Sequence, residues 1–338
     1  MRECDNWARL NWEPVSEERY DTATTFRPND EIKMSISKLI FIGLLFLGCQ
    51  ARGENVMKQD PQKFMPNLIE ELSYSTVRIT CILTNGVTSV GTSFVMAFKF
   101  DAEKGSFLPV LITNKHVVRG SQKIAFVLTE MVEGRPSNGR CSFDLPINEQ
   151  AWKMHPDPNV DLCALPIGTL INDVRANNKN VKLTWLSTDI IATNDQIDKM
   201  RQLDEVVMIG YPDGIADHVN NQPIFRRGTF ATNPTLDYNG NKDFVVDIAA
   251  FNGSSGSPVF VKYDAARFDA DHASIVVGRR PTVALVGVLY AGFHHKIDGR
   301  IVPIQVPTSV VPISVSAVPN NLGIVLKAQR ITELESLF

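Results

Sequence analysis

Phe251-Asn252-Gly253-Ser254-Ser255-Gly256-Ser257-Pro258-Val259-Phe260 is a serine run held between two glycines and followed by an apolar strand. Glycine reaches backbone angles closed to other residues, so turns at Gly253 and Gly256 can lift Ser255 out of the chain and aim the amides of Gly253 and Ser255 at one point. That is the arrangement of a nucleophile beside an oxyanion hole. A hydroxyl is a weak nucleophile until a neighbouring base takes its proton, so a serine read this way needs partners elsewhere in the chain.

Two upstream segments offer them. His116 ends the run Val110-Leu111-Ile112-Thr113-Asn114-Lys115, where a strand gives way to a loop. Asp161 lies in Pro158-Asn159-Val160-Asp161-Leu162-Cys163-Ala164-Leu165, a carboxylate entering an apolar strand that has no evident need of charge. Burying it is costly unless it is hydrogen-bonded, and a bond to an imidazole would both satisfy it and fix the ring's tautomer. The order is His, Asp, Ser, with separations of 45 and 94 residues, enough for the first two to share one half of the fold and the third to lie in the other. Each residue has a bland reading as well: a Gly/Ser turn, a solvated strand end, a structural histidine. The rival serine signature, a strand-to-helix elbow, needs glycine two places after the nucleophile, where this chain has Ser257. It also needs alternating strands and helices, whereas the chain reads as a succession of short β-branched strands.

With these residues in place, the chain resembles the chymotrypsin-like (trypsin-like) serine peptidases, in particular the bacterial branch of Deg/HtrA proteases and glutamyl endopeptidases. Gly91-Thr92-Ser93-Phe94-Val95 is similar to the strand before the family histidine, and Thr113-Asn114-Lys115-His116-Val117 to the histidine motif itself. Val160-Asp161-Leu162 resembles the aspartate motif, Gly210-Tyr211-Pro212-Asp213-Gly214 a turn early in the second barrel, and Gly253 to Pro258 the nucleophile motif. The resemblance runs from about Gly91 to Ile324. It implies an all-β fold of two six-stranded antiparallel β-barrels, the first over residues 67–195 and the second over 196–338. It further implies a serine endopeptidase working through an acyl-enzyme, with protein or peptide as substrate and no metal or organic cofactor. The alternative is a protein of the same fold that holds extended peptides in the cleft without efficient cleavage.

Departures from the family pattern carry information too. Where trypsin-like zymogens have an aspartate before the nucleophile, this chain has Ser254, so activation through that salt bridge is not expected. The resemblance places Ala249, Leu289, Tyr290 and Gly292 around the first specificity pocket. Glutamyl endopeptidases have a histidine at the place of Leu289, and trypsins an aspartate at that of Ala249; with both missing, a small or medium apolar residue is expected before the scissile bond. Tyr290 replaces a small polar residue that often supports the aspartate. With 83 residues after Ser255, most of them needed by the barrel, no PDZ domain is expected within them, and Gln329 to Phe338 has the apolar spacing of a short terminal helix.

Composition is in keeping with an exported β protein: 44% hydrophobic and 21% charged residues, with 21 glycines and 19 prolines. A net charge of −3 without a basic, aromatic-rich segment argues against nucleic acid as a partner. Met34-Ser35-Ile36-Ser37-Lys38 followed by the apolar run Leu39 to Leu47 reads as an export signal over 34–48, too short for a comfortable membrane span of about 20 residues. Gly48-Cys49 is similar to the end of a bacterial lipoprotein signal, which predicts lipid on Cys49, a tether over 49–66 and a membrane-anchored location facing the periplasm or cell exterior; Phe46 and Leu47 fit that signal less well, so ordinary secretion and an uncleaved anchor are the alternatives. Residues 1–33, with five basic and eight acidic side chains, do not suit an export signal and are expected to be a non-native or disordered extension. Cys81, Cys141 and Cys163 are an odd number that cannot all pair; Cys81 and Cys163 lie in apolar runs and read as buried structural thiols. No zinc spacing is present, and His294-His295 would point to opposite faces of a strand.

Overall fold

Alternation of apolar residues through the middle of the chain sorts it into strands with two working faces. The structure, a computed structural model, describes residues 68–101, 103–263, 266–269, 274–277, 282–300 and 313–338. The expectations about residues 1–33, the signal at 34–48, Cys49 and the tether at 49–66 lie outside these described residues.

After a short helix α1 (Leu68–Leu72), the first half contains β1 (Thr76–Leu83), β2 (Thr88–Asp101), β3 (Ser106–Thr113), α2 (Lys115–Val118), β4 (Ser121–Val132) and β5 (Arg135–Leu145). It continues through β6 (Lys153–Met154), β7 (Cys163–Pro166), α3 (Gly168–Ala176), β8 (Asn180–Lys182) and β9 (Leu186–Ser187). These nine strands form one sheet in the order β5-β4-β1-β2-β3-β7-β6, with β8 on β4 and β9 parallel to β2. The second half, after α4 (Asn194–Ile197), contains β10 (Glu205–Gly210), β11 (Ile224–Phe230), β12 (Asp243–Asp247) and β13 (Pro258–Tyr263). A separate hairpin of β14 (Ala266–Asp269) and β15 (Ser274–Val277) follows, then the long strands β16 (Thr282–Arg300) and β17 (Ile313–Lys327) and the terminal helix α5 (Arg330–Glu335). Strands β10, β11, β12, β17, β16 and β13 close into a barrel.

The all-β class, the closed six-stranded barrel and the terminal helix are therefore as expected, while the first half departs from a six-stranded barrel. Its path ends at β5 and β6 without a ladder joining them among the described residues. After Leu145 the chain meets Pro146, which has no amide to donate, and then a 3₁₀ turn at Glu149–Ala151 that seats Trp152 in the core, leaving only two residues for β6. Helix α3 was not expected from the strand-like reading. Its apolar spacing, Ile167, Leu170, Ile171 and Val174, is that of one helical face, and all four are buried in the first-half core.

Strand β2 explains how the halves are joined. All of Gly91 to Phe98 is buried, but alternate residues serve different cores: Val95 packs with Val77, Ile79 and Leu111, whereas Phe94, Met96 and Phe98 pack with Phe260, Leu285 and Val288 of the second half. A strand covered on both faces reads as a continuous apolar run. Burying each such side chain contributes about 1.5–3 kcal/mol, so this shared layer is a large part of what holds the halves together. Helix α5 closes the same layer with Ile331 and Leu334 fully buried, and the Phe338 ring meets Phe98 edge-on at 5.8 Å. The barrel has its own interior, built from Val206, Met208, Phe230, Phe244, Val259 and neighbours.

Candidate active site

Strand β3 ends at Thr113, and the chain turns into the single helical turn α2, which exposes His116 while Val117 and Val118 go into the core. The same loop receives Asp161 from the segment leading into β7, because β7 pairs with β3 and sets Thr113 beside Cys163. The carboxylate meets His116 twice: Oδ1 accepts the His116 backbone N–H at 3.0 Å, and Oδ2 stands 2.5 Å from ring Nδ1. With the carboxylate as acceptor, the proton sits on Nδ1 and leaves Nε2 as the free lone pair of a base. The Asn114 side-chain amide donates to the Asp161 carbonyl at 2.7 Å, which fixes the backbone of the aspartate from the histidine's side. The His116 side chain is 43% exposed and that of Asp161 21%, so the pair faces an open surface with its carboxylate end protected.

The segment before Asp161 is held by α5 at Asp157. Arg330 donates to Asp157 at 2.7 Å and to Glu333 at 2.8 Å, while Lys115 donates to the Asp157 carbonyl at 2.9 Å. His155, whose side chain is fully buried, accepts the Asp157 N–H on Nδ1 at 3.1 Å and places Nε2 3.3 Å from Glu333 without an aligned hydrogen bond. Burial, followed by the nearby Arg330 charge, pushes the His155 ring below the ordinary histidine range. The Asp157 carboxyl is lowered, chiefly by the Asn159 N–H it accepts, with Arg330 contributing.

Ser255 lies in the loop between β12 and β13. Gly253 and Gly256 have φ of +82° and +86°, left-handed angles that a side chain rarely adopts. A Cβ at Gly256 would lie 1.9 Å from the Thr92 carbonyl oxygen and one at Gly253 2.6 Å from that of Tyr211, so both glycines are required by close approach as well. Neither the Gly253 nor the Ser255 amide donates to an acceptor among the described residues, and Ser255 is partly exposed in its loop. These are the two amides expected to face an oxyanion. Contacts run from this loop to the histidine loop through Thr92: its N–H donates to the Ser255 carbonyl at 2.8 Å, and its own carbonyl accepts the Thr113 hydroxyl at 2.7 Å.

The four residues expected around the specificity pocket are distributed unevenly. Ala249 and Gly292 are partly exposed, and a Cβ on Gly292 would stand 3.6 Å from the Leu322 carbonyl and 3.8 Å from Ala250, ordinary contacts. The Leu289 side chain is 2% exposed and belongs to the barrel interior; its backbone instead serves the nucleophile loop, accepting from Gly256 and donating to Ser257. Tyr290 falls in a bulge between Leu289 and Ala291 that leaves it without a partner on β17. Its hydroxyl donates to Asp243 at 2.9 Å rather than to Asp161. Burial, then the Asp243 and Asp161 charges, push the Tyr290 phenol up, and burial raises Asp243.

Of the thiols, only Cys163 touches the described site residues, donating to the Thr113 carbonyl at 3.6 Å. Cys81, Cys141 and Cys163 are all free; burial pushes Cys81 up to about 12 and Cys163 well above its ordinary value. No group of three or more His, Cys, Asp or Glu suited to a metal occurs among the described residues. Asn114, Thr92 and the His155–Arg330 cluster were not singled out from the sequence. Asn114 and Thr92 lie inside quoted motifs, but nothing in a linear pattern says that an amide or hydroxyl will reach a carbonyl 47 or 161 positions away.

The trypsin-like peptidase domain model matches residues 91–265, just over half of the chain, and the chain belongs to that family. Among solved structures, the HtrA-type protease AlgW with tripeptide is 15% identical with a TM-score of 0.43, the match covering 79% of this chain and 61% of that one. Rv3671c from M. tuberculosis H37Rv is 14% identical with a TM-score of 0.38 over 84% of this chain and 95% of that one. Deg5 is 17% identical with a TM-score of 0.39 over 66% and 82%. This chain therefore spans less than two thirds of the length of the HtrA-type chains it matches. No curated protein matches the sequence.

Proposed function

We propose that the protein is a serine endopeptidase in which Ser255 attacks the peptide carbonyl, His116 is general base and then general acid, and Asp161 orients and charges-balances the imidazole. The amides of Gly253 and Ser255 stabilise the tetrahedral oxyanion, and the acyl-enzyme is released by water through the same base. The observation that carries this reading is the double hydrogen bond of Asp161 to His116, which leaves Nε2 as a proton acceptor, in a chain whose family motif supplies a serine between two left-handed glycines. Ala249 and Gly292, which stand partly exposed where the pocket is expected and bring no charge of their own, support cleavage after a small or medium apolar residue.

A fluorophosphonate probe tests the chemistry directly. It should label the wild-type protein at Ser255 and leave Ser255→Ala unlabelled; labelling that persists in the variant refutes the assignment. The reading extends to location through sequence alone: the apolar run ending at Gly48-Cys49 supports lipid on Cys49 and a membrane-tethered enzyme. Mass spectrometry of the mature amino terminus from a bacterial host checks it, and an unmodified terminus beyond Cys49 refutes it.

A further inference from the structure

An oxyanion hole is set by the orientation of peptide planes, and in a trans peptide the carbonyl and the amide point opposite ways. The Asn252 carbonyl is held by the Asp213 N–H at 2.5 Å, which turns the Gly253 amide away from Asp213. The Ser254 carbonyl accepts the Ser257 N–H at 3.0 Å, which likewise turns the Ser255 amide outward. The two remaining planes of the loop donate their amides within the second half, Ser254 to the Phe251 carbonyl at 3.0 Å and Gly256 to the Leu289 carbonyl at 2.8 Å, while their carbonyls are both held by one residue of the other half. Thr92 donates its hydroxyl to the Gly253 carbonyl at 2.9 Å and its backbone N–H to the Ser255 carbonyl at 2.8 Å.

Every polar atom of Thr92 is engaged in this junction. Its hydroxyl oxygen also accepts the Tyr211 N–H at 3.0 Å, tying in the turn at 212–214 whose Asp213 holds Asn252. Its carbonyl accepts the Thr113 hydroxyl, three residues before His116. Thr92 is wholly buried, and the space it needs is kept by glycine: a Cβ at Gly210 would lie 2.7 Å from its hydroxyl, and one at Gly256 1.9 Å from its carbonyl. The Ser254 hydroxyl, by contrast, accepts from its own loop, the Phe251 N–H at 3.3 Å.

We infer that Thr92 is the positioning residue of the oxyanion hole: from the first half it fixes the Gly253 and Ser255 carbonyls, in the planes that follow the two oxyanion amides, and so holds the loop conformation that aims those amides. The inference rests on the reading of Ser255 as nucleophile. It assigns to the Thr92 hydroxyl an effect on the chemical step that a merely packed threonine would not have, because the amides of the loop it fixes act on charge present only in the tetrahedral state.

The test compares Thr92→Val, which keeps shape and removes the hydroxyl, with Thr92→Ser, which keeps the hydroxyl. Both are assayed with the N-acetyl-alanine p-nitrophenyl ester and with the matching boronic acid as a tetrahedral mimic. Thr92→Val should lower kcat about 10- to 100-fold, less than deletion of an oxyanion donor can cost, and weaken the boronic acid by a similar factor. KM should change by no more than about twofold, and Thr92→Ser should restore kcat and boronic acid binding. Wild-type kcat in Thr92→Val, or Thr92→Ser as impaired as Thr92→Val, overturns the inference. If Thr92→Val does not fold, Thr92→Cys, with a weaker donor, should lie between serine and wild type on one side and inactivity on the other; wild-type kcat there overturns it equally. Wild-type protein inert toward the ester, the boronic acid and fluorophosphonate sinks the nucleophile itself, whereas a reactive wild type with an unimpaired Thr92→Val sinks only the role of Thr92.

Discussion

The two halves of the molecule hold their candidate catalytic groups by different means. In the first half, His116 and Asp161 stand on loops at the ends of β3 and β7 and find each other through side chains: ring to carboxylate, carboxylate to amide, Asn114 to carbonyl. In the second half, the Ser255 loop is held almost wholly through backbone carbonyls and by two glycines at positive φ, against a barrel whose interior is independently packed. Side-chain constructions tolerate exposure and fail when a functional group is changed. Backbone constructions fail when a Cβ is added, because nothing nearby can move aside. The first half is thus specified by chemistry and the second by space.

The largest effects should come from removing the chemistry. Ser255→Ala or His116→Ala is expected to lower kcat by about 10⁴-fold or more, and Asp161→Asn nearly as much through loss of the tautomer, while far-UV circular dichroism and melting stay near wild type. Turnover by purified Ser255→Ala would break the comparison at its root. Adding a methyl group tests the other half. Gly256→Ala places a carbon 1.9 Å from the Thr92 carbonyl at φ +86°, so urea denaturation should show a loss of about 2–4 kcal/mol together with loss of activity. Gly120→Ala shares a positive φ of +68° but meets nothing within 4 Å, so only backbone strain of about 1 kcal/mol is expected. Equal costs at the two sites would mean that φ, and not the Thr92 contact, decides.

The smallest effect concerns the α5 cluster that holds Asp157, in the segment leading to Asp161. His155 is pushed down by burial, so between the ordinary histidine range near about 6.5 and its lower folded value the unfolded chain binds more protons. Stability is therefore complete above that range and declines as pH falls through it. Asp157, lowered chiefly by the Asn159 N–H, adds a loss of the same sign in stronger acid. Melting temperature should drop between about pH 7 and pH 5, and His155→Gln, which cannot gain the proton, should flatten that slope. An unchanged slope would show that other groups govern acid stability.

How much was legible beforehand follows the same division. The His116 and Asp161 motifs could be read because their residue types are unexpected where they stand, and the structure brings them into direct hydrogen-bond contact. The glycines around Ser255 could be read because only glycine reaches the angles their turn needs. Helix α3 escaped a strand-directed reading although its apolar face was present in the sequence. The closure of the first half was less visible, since an interruption at Pro146 and Trp152 matters only once β6 must pair. Leu289 illustrates the opposite limit: its position in a motif suggested a pocket wall, but whether its side chain turned inward depended on the register of β16 on β17, which places it against Val325 in the barrel interior.

By itself, then, the sequence determined the β class, the chain order of the candidate groups, the glycine turns and the amphipathic terminal helix, since these depend on local periodicity and on what each backbone can do. Only the tertiary structure decided that β2 serves two cores at once, that Tyr290 bonds to Asp243, that Arg330 braces the aspartate loop and that Thr92 reaches the carbonyls of Gly253 and Ser255. Each joins residues far apart in the chain, and a hydrogen bond is set by distance and angle in space, which local sequence does not encode.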